Sequence, residues 1–218
     1  MISLNKNQQG GAALVIALIM LAVVIVLTVT NMREVSLEAR MTAHRAESQQ
    51  LQLAAESALR EAERRYYGPG LIEEKLVASE NNCRKSNVYK PQIVRPCLIE
   101  LVDTNDTAVE LAAHQSYQLD PIKEIEDRFN WTGAKTDTAG DNTFVPWMPY
   151  RGTVANQPST LESRAYWNSV LIPHQGVNAE YGDTLQGKGT YFYLVTAQGK
   201  DIFALQSTIA NIYLGVNN

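Results

Sequence analysis

The two cysteines are the side chains with the clearest covalent chemistry. Cys83 and Cys97 are the only cysteines in the chain, and thirteen residues lie between them. Neither belongs to a C-x-x-C pair, and no nearby histidine completes a set of zinc ligands. In an oxidising compartment this spacing favours a disulfide, which would contribute on the order of 3 kcal/mol in the chain-entropy model. Two unpaired buried thiols are the alternative.

The rest of the sequence carries no pattern typical of catalysis. A phosphate-binding loop, an H-E-x-x-H pair and a G-x-S-x-G turn are all missing from it. The three histidines, His44, His114 and His174, are far apart along the chain. We therefore predict that the protein is not an enzyme and uses no cofactor.

One short segment is rich in oxygen ligands. Asp137, Asp141 and Asn142 lie around Gly140, but their spacing is not that of an EF-hand. A polar turn is therefore the favoured interpretation, and a metal site remains a weak candidate. The net charge of −4 offers no basic surface for nucleic acid.

The first third of the 218-residue chain differs from the rest in composition. No glycine or proline occurs between Gly11 and Gly68, and every proline and aromatic residue lies at or after Tyr66. The overall apolar content of 45% hides this division. A long helix followed by a separate folded head is therefore predicted.

The beginning of this helix is long and apolar enough to cross a bilayer. Residues 12–27 are uninterrupted apolar side chains, and Thr28 to Thr30 extend the run before Asn31. A cleaved secretory signal would have a shorter apolar region and a small-residue exit. A buried core helix would carry some polar residues. Residues 12–31 are therefore predicted to span a membrane, although the positive-inside rule does not decide their orientation.

Residues 32–67 continue the helix with good helix-forming residues. Glu56 with Arg60, and Glu61 with Arg65, are favourable i,i+4 pairs. One stripe of small and apolar positions predicts that this half packs on the head. A membrane-proximal coiled-coil stalk is the alternative. The stripe consists of Leu51, Ala55, Ala58, Leu59, Ala62 and Tyr66.

The head is predicted to extend over residues 68–218 and begins with the helix stop Gly68-Pro69-Gly70. Its clearest strands are residues 189–198 and 202–213, which predict a C-terminal hairpin with a turn at residues 199–201. Together with the long helix, this pattern predicts an α+β fold in which the helix packs on a head with an antiparallel sheet.

Three weaker signals fill the middle of the head. Asp120 followed by Pro121 predicts an N-cap and a short helix. A possible capping box at residues 159–162 predicts a second helix over ESRAYWNSVL. Residues 132–158 are polar and rich in Pro and Gly, and we expect long loops there.

The N-terminal region resembles the PilX family of minor pilins. The shared patterns are Q-x-G-A-A-L-V at residues 9–15, M-R-x-x-x-L-E-x-R-M at residues 32–41 and A-A-E-x-A-L-R at residues 54–60. The leader MISLNKNQQGG also resembles the leader of type IV pilins. The C-terminal hairpin looks like that of the family, although this similarity is weaker.

The resemblance implies a type IV pilin-like fold and processing by a prepilin peptidase. Residues 1–11 would be a leader that is removed between Gly11 and Ala12, with cleavage after Gly10 as the alternative. It also implies methylation of the mature protein. The helix would anchor the chain in the inner membrane with a periplasmic head, before the subunit enters an extracellular pilus.

The resemblance also suggests a place in the pilus. Most pilins have a glutamate as the fifth mature residue, whereas Ile16 stands at that position here. This departure fits a subunit near the tip, with other minor pilins, the major pilin and a large tip adhesin as partners in adhesion and twitching motility. The alternative is a single-pass periplasmic sensor or stalk protein without a role in a filament.

Overall fold

The computed structural model describes residues 6–67, 75–90, 95–173 and 189–213, with side chains from residue 11 onward. The chain forms two compact units, Met1–Ser48 and Gln49–Asn218. The predicted helix stop at residues 68–70 and the side chain of His174 lie outside the described residues.

Helix α1 covers Lys6–Arg64. The sequence predicts a helix from Ala12 to Tyr67. In the structure the helix begins before Ala12 and ends before Tyr67. The helix ends in backbone hydrogen bonds that span three residues instead of four. The amide of Arg65 donates to the carbonyl of Ala62, and the amide of Tyr66 donates to the carbonyl of Glu63. Within the described residues, α1 is the one helix long and apolar enough to cross a membrane, by length and composition.

The second unit contains a five-stranded sheet in the order β1-β3-β4-β5, with β2 also paired to β3. Strands β3, β4 and β5 are antiparallel, as is the β2–β3 pair, but β1 runs parallel to β3. The sheet is therefore mixed and mostly antiparallel, and the predicted α+β fold of a long helix with a sheet-containing head is confirmed. The strands are Leu98–Ile99 (β1), Met148–Pro149 (β2), Ala165–Leu171 (β3), Gly189–Gly199 (β4) and Phe203–Tyr213 (β5).

The predicted C-terminal hairpin is confirmed as β4 and β5. They pair in unbroken register from Gly189 opposite Tyr213 to Gly199 opposite Phe203. Lys200 and Asp201 in the turn have positive φ angles of 50° and 58°. The Asp201 carboxylate accepts bonds from two amides at the start of α4, which fixes this turn against the rest of the head.

The helix predicted after residues 159–162 is wrong, because that segment leads into strand β3. Residues 165–170 are buried without alternation, as expected for a central strand covered on both faces. The segment AYWNSVL is aromatic and β-branched, which suits a strand better than a helix. Its pairing with β4 on one side and with β1 and β2 on the other overrides the capping signal.

The described part of the head also contains three short α-helices, α2 over Thr107–Leu119, α3 over Pro121–Phe129 and α4 over Gly133–Thr138, and one turn of 3-10 helix over Glu80–Asn82. The prediction of α3 is confirmed, and the Asp120 side chain accepts a bond from the amide of Lys123. Helix α2 was missed, although Asp106 is a regular N-cap. The loops expected over residues 132–158 are interrupted by α4 and β2.

The end of α1 and helix α2 contact opposite faces of the sheet. Tyr66 bonds to Ser169, whereas Tyr117 of α2 bonds to Asn168, the adjacent residue of β3. Successive side chains of a strand point to opposite faces, so the sheet lies between these helices. Near the end of β4, a Cβ on Gly199 would lie 3.0 Å from the carbonyl oxygen of Leu51, so glycine permits this close approach.

The disulfide is confirmed, since Cys83 and Cys97 are bonded and fully buried. The carbonyl of Cys83 accepts from the amide of Val145, and the carbonyl of Cys97 accepts from the amide of Ser169 in β3. The bridge therefore holds the irregular segment after α1 against the sheet.

Replacing both Cys83 and Cys97 by serine should lower the free energy of unfolding by about 3 kcal/mol, because the unfolded chain regains the entropy of an open loop. Urea unfolding of the full chain in detergent, followed by tryptophan fluorescence, measures this loss. Thiol labelling of the unfolded wild-type protein is the check on the bond, and equal labelling before and after reduction would contradict it.

His114 of α2 predicts a pH dependence of stability. Burial, together with the positive charge of Arg128, lowers the pKa of His114 from 6.5 to about 4. The unfolded chain therefore takes up this proton first, so stability is full above pH 6.5 and falls as the pH drops toward 4.

Between about pH 7.5 and about pH 5, the free energy of unfolding should fall by up to about 2 kcal/mol from this group. His114→Gln should remove that part of the loss, because glutamine does not titrate. Urea unfolding at the two pH values measures it. The matched control is His44→Gln, at an exposed site of α1, and an equal effect of the two substitutions would exclude His114 as the source.

Candidate functional site

The N-terminal part of α1 presents an apolar surface. Its large side chains between Leu14 and Leu27 are 52% to 68% exposed. Thr28 donates to the carbonyl of Val24 at 2.7 Å, and Thr30 donates to that of Leu27 at 2.9 Å, so both hydroxyls are satisfied within the helix. Such a continuous apolar surface requires lipid or other apolar helices as its environment.

The sequence-predicted residues of this segment lie along the same helix. Gly11 and Ala12 are exposed, and Ile16 is 58% exposed. A Cβ placed on Gly11 meets no atom within 4 Å. Among the described residues, no side chain therefore covers this position of the helix.

The C-terminal part of α1 is buried in the head. Alanines make up most of the contact, which lets the helix backbone approach the sheet closely. The predicted stripe is confirmed, with Leu59 half-buried and the other positions buried. Ala54 joins the stripe as a further buried position. The buried residues are Leu51, Ala54, Ala55, Ala58, Ala62 and Tyr66.

A fully buried ion pair lies at the end of this helix. Glu61 is 0% and Arg65 is 1% exposed, and their side chains are joined by a 2.7 Å hydrogen bond. The second carboxylate oxygen of Glu61 accepts from the backbone amides of Arg151 at 2.6 Å and Gly152 at 3.0 Å. The carboxylate is thus bonded to its own helix and to the loop after β2.

The guanidinium of Arg65 extends the same network to another loop. It donates to the side chain and to the carbonyl of Asn87, each at 3.1 Å, and lies 4.9 Å from the centre of the Trp167 ring. Burial lowers the pKa of Arg65, whereas the charge of Glu61 raises it. Its Nε has no partner among the described residues. Three segments of the head therefore depend on this one side chain.

Tyr66 connects the helix end to the sheet. Its hydroxyl donates to Ser169 at 2.5 Å, and Ser169 donates to the carbonyl of Cys97 at 2.6 Å. Burial raises the pKa of Tyr66, so the phenol stays protonated and serves as a donor. Its ring also packs on Tyr193 of β4, with centroids 5.1 Å apart. The helix end is thereby linked to β3, β4 and the disulfide.

Side chains of the oxygen-rich segment bond to separate partners. The Asp137 side chain bonds to Arg164 at 3.0 Å and to the hydroxyl of Tyr166 at 2.9 Å. Asn142 contacts Ser86 instead, at 3.3 Å. No group of three metal-ligating His, Cys, Asp or Glu side chains forms within the part of the chain that the structure describes.

The importance of Glu61 and Arg65 was not evident from the sequence. In the sequence they form an i,i+4 pair of the same kind as Glu56 and Arg60, but only the Glu61–Arg65 pair is buried. The Glu56–Arg60 pair is 4.0 Å apart, with side chains 36% and 77% exposed. The available signal was its position beside the alanine stripe, because Ala58 lies one turn before Glu61 on the same side of the helix.

Comparison with known protein families finds a similarity in the N-terminal segment. Residues 9–60 match the family model described as PilX N-terminal. The match contains the exposed apolar segment and most of the buried alanine stripe. No curated protein and no solved structure gives a significant match.

The buried pair predicts a strong and specific effect of mutation. Glu61→Ala should lower the free energy of unfolding by about 3–5 kcal/mol, because it leaves the Arg65 charge buried without a carboxylate. Replacing both residues by methionine should cost less than Glu61→Ala alone. Urea unfolding of the full chain in detergent measures both changes.

The matched control is Glu56→Ala in the exposed pair of the same helix, which should cost less than about 0.5 kcal/mol. Equal losses for the two alanine variants would show that burial of the Glu61–Arg65 pair has no energetic importance.

Proposed function

We propose that this chain, a type IV pilin-like protein with the N-terminal region of the PilX family, is a minor pilin that takes part in pilus assembly as a tip-located subunit. The observation that carries the proposal is helix α1. Its N-terminal part is apolar and exposed, whereas its C-terminal part belongs to the core of the head. One continuous element thus combines an anchoring surface with a firm attachment.

The exposed part of α1 suits transfer between two apolar environments. Residues 12–31 would first lie in the inner membrane and later contact the equivalent helices of other pilins. Because apolar surface is buried in both places, the hydrophobic contribution changes little during the transfer. The assembly machinery then has to move the helix in one direction, but it does not have to expose sixteen consecutive apolar residues to water.

The buried part of α1 suits transmission of that movement to the head. Glu61, Arg65 and Tyr66 bond to two loops and to the sheet, and the disulfide holds the segment beyond them. A pull along the helix would therefore reach the head through interactions that are dry and cooperative. This design fits a subunit that is extracted from a membrane while its head stays folded.

The tip location is supported by Ile16. In ordinary pilins the glutamate at this position is thought to meet the amino terminus of a neighbouring subunit. An isoleucine offers no carboxylate, and its 58% exposed side chain can make apolar contacts only. We propose that the partners are other minor pilins, the major pilin and a large tip adhesin, and that the complex primes assembly and supports adhesion and twitching motility.

The competing proposal is a single-pass periplasmic sensor or stalk protein. It accounts for the apolar helix and the disulfide-bonded head, but it gives no role to the leader. The two proposals therefore differ most clearly in the fate of residues 1–11 and in whether Ala12 becomes the mature amino terminus.

The test is leader removal. In cells with an active prepilin peptidase, the membrane-extracted protein should begin at Ala12, as measured by intact mass and N-terminal sequencing. A protein that begins at Gly11 would assign the cut to Gly10 instead. Residues before Gly11 that remain attached, in cells that process their major pilin, would exclude the pilin proposal.

Gly11→Val is the matched variant for this experiment. It should leave the leader attached, because a branched side chain would then occupy the position before the cut. Apart from the adjoining helix backbone, no described atom lies within 4 Å of a Cβ at Gly11. The variant therefore creates no clash with the described residues and tests recognition by the peptidase.

A further inference from the structure

A small cleft lies in the head beside the start of β3. Its volume is about 100 Å³, and helix α4, strand β2, the start of β3 and the adjoining loops form its walls. All of the residues that line it belong to the unit Gln49–Asn218. Four of them are charged, namely Lys85, Asp137, Arg151 and Arg164. Three cations and one carboxylate therefore border the same small space.

The single carboxylate of the cleft is already matched by one of the cations. Asp137 accepts from Arg164 at 3.0 Å. Lys85 donates only to uncharged groups, the backbone carbonyls of Asp137 at 3.2 Å and Ala139 at 2.5 Å. Neither Lys85 nor Arg151 forms an ion pair with a carboxylate in the part of the chain that the structure describes. The cleft therefore has two positive charges in excess.

Arg151 also has a hydrogen-bond donor that is not used. Its Nε is buried and has no partner among the described residues. A guanidinium has five N–H donors, and a buried donor without a partner is costly. The backbone amide of Arg151 is bonded to Glu61, so the loop that carries this side chain is fixed to the end of α1. A fixed loop thus places an unpaired cation at the cleft.

The two acidic segments outside the described residues adjoin the sheet at the end away from the cleft. Tyr66, just before residues 68–74, packs on Tyr193 of β4, and residues 174–188 lead from β3 into the start of β4. The first residue of β3, which lines the cleft, pairs with Gly199 at the other end of β4. Six residues of strand, or roughly 20 Å, separate Tyr193 from Gly199.

The walls of the cleft indicate which kind of anion suits it. Arginine matches a carboxylate with a planar, two-point geometry. Tyr150, Tyr166 and Leu161 also line the cleft, so a ligand meets ring and apolar surface as well as charge.

Asp137 restricts the ligand further. An ionised carboxylate can accept about four hydrogen bonds, whereas Asp137 accepts one from Arg164 and one from the hydroxyl of Tyr166. It can therefore accept from hydroxyl groups of a ligand, but it repels a second negative charge. A ligand with one carboxylate and several hydroxyl groups fits better than a phosphate.

We propose that this cleft binds a sugar acid, such as a uronic acid unit. Arg151 and Lys85 bind its carboxylate, Asp137 accepts hydrogen bonds from its hydroxyl groups, and Tyr150 contacts the ring. The proposal goes beyond the pilin proposal and does not depend on it, because the residues involved belong to the head alone.

Saturation-transfer NMR on the full chain in detergent micelles tests the site, with empty micelles as the blank. The probe is glucuronate, which should bind saturably with a Kd of about 1–10 mM. Its methyl ester has the same ring without the charge and should bind at least tenfold more weakly. Lack of saturable glucuronate binding up to about 50 mM, or equal binding of the ester, would overturn the proposal.

Two competitors separate a sugar acid from other anions. Acetate has the carboxylate without the ring, and inorganic phosphate has a higher charge without the ring. Each should displace glucuronate at least tenfold less well than unlabelled glucuronate displaces a labelled sample. Equal displacement by acetate would show that the ring makes no contact, and equal displacement by phosphate would show attraction to charge alone; either result would contradict the proposal.

Variants locate the site. Arg151→Gln and Lys85→Gln each remove one charge and should weaken glucuronate binding at least tenfold. The matched control is Lys123→Gln, at an exposed position of α3 outside the cleft, which should bind like the wild type. Equal weakening by Lys123→Gln and Arg151→Gln would contradict the site.

Urea unfolding checks that each variant is folded. If Arg151→Gln is unstable, Lys85→Gln and the comparison of glucuronate with its ester on the wild type decide the result. Leader removal should stay normal in all three variants, so failure of this proposal is distinguishable from failure of the pilin proposal.

Discussion

The buried pair of Glu61 and Arg65 is the interaction on which the attachment of the helix depends. Two opposite charges without water are stable only when each has further hydrogen-bond partners. The backbone amides of Arg151 and Gly152 and the side chain of Asn87 provide them. These partners lie on separate loops, so forming the pair requires the loops to be in place. The pair thus couples the end of α1 to the tertiary structure of the head.

Because the buried pair fixes the end of α1 to the head, the rest of the helix can carry a different, exposed apolar surface. Residues 12–27 carry apolar side chains and no polar group that would fix a unique neighbour, which is compatible with the proposed exchange of lipid for other helices. Further along, alanines make up most of the buried positions, and Gly199 of β4 lets the helix backbone at Leu51 come close to the sheet. Specific polar contacts then fix its position, since alanine packing alone is not selective.

The sequence predicts local features well and tertiary ones poorly. The hairpin of β4 and β5, the N-cap of α3 and the stripe on α1 follow from periodicity and turn chemistry within a few residues. Strand β3 was predicted as a helix, because its burial on both faces removes the alternation that identifies a strand. The buried pair was seen only as one of two i,i+4 pairs, since burial of Glu61 depends on loops that are distant in sequence.

The polar groups around the end of α1 show how the packing of a helix becomes specific. Glu61 bonds to the loop after β2, Arg65 bonds to Asn87 and Tyr66 bonds to β3. The network is not complete, because Arg65 Nε has no partner among the described residues. Each bond that does form requires the helix end and a distant segment to be in place together, since a buried polar group left unpaired is costly. The end of α1 and the head therefore belong to one compact unit, Gln49–Asn218.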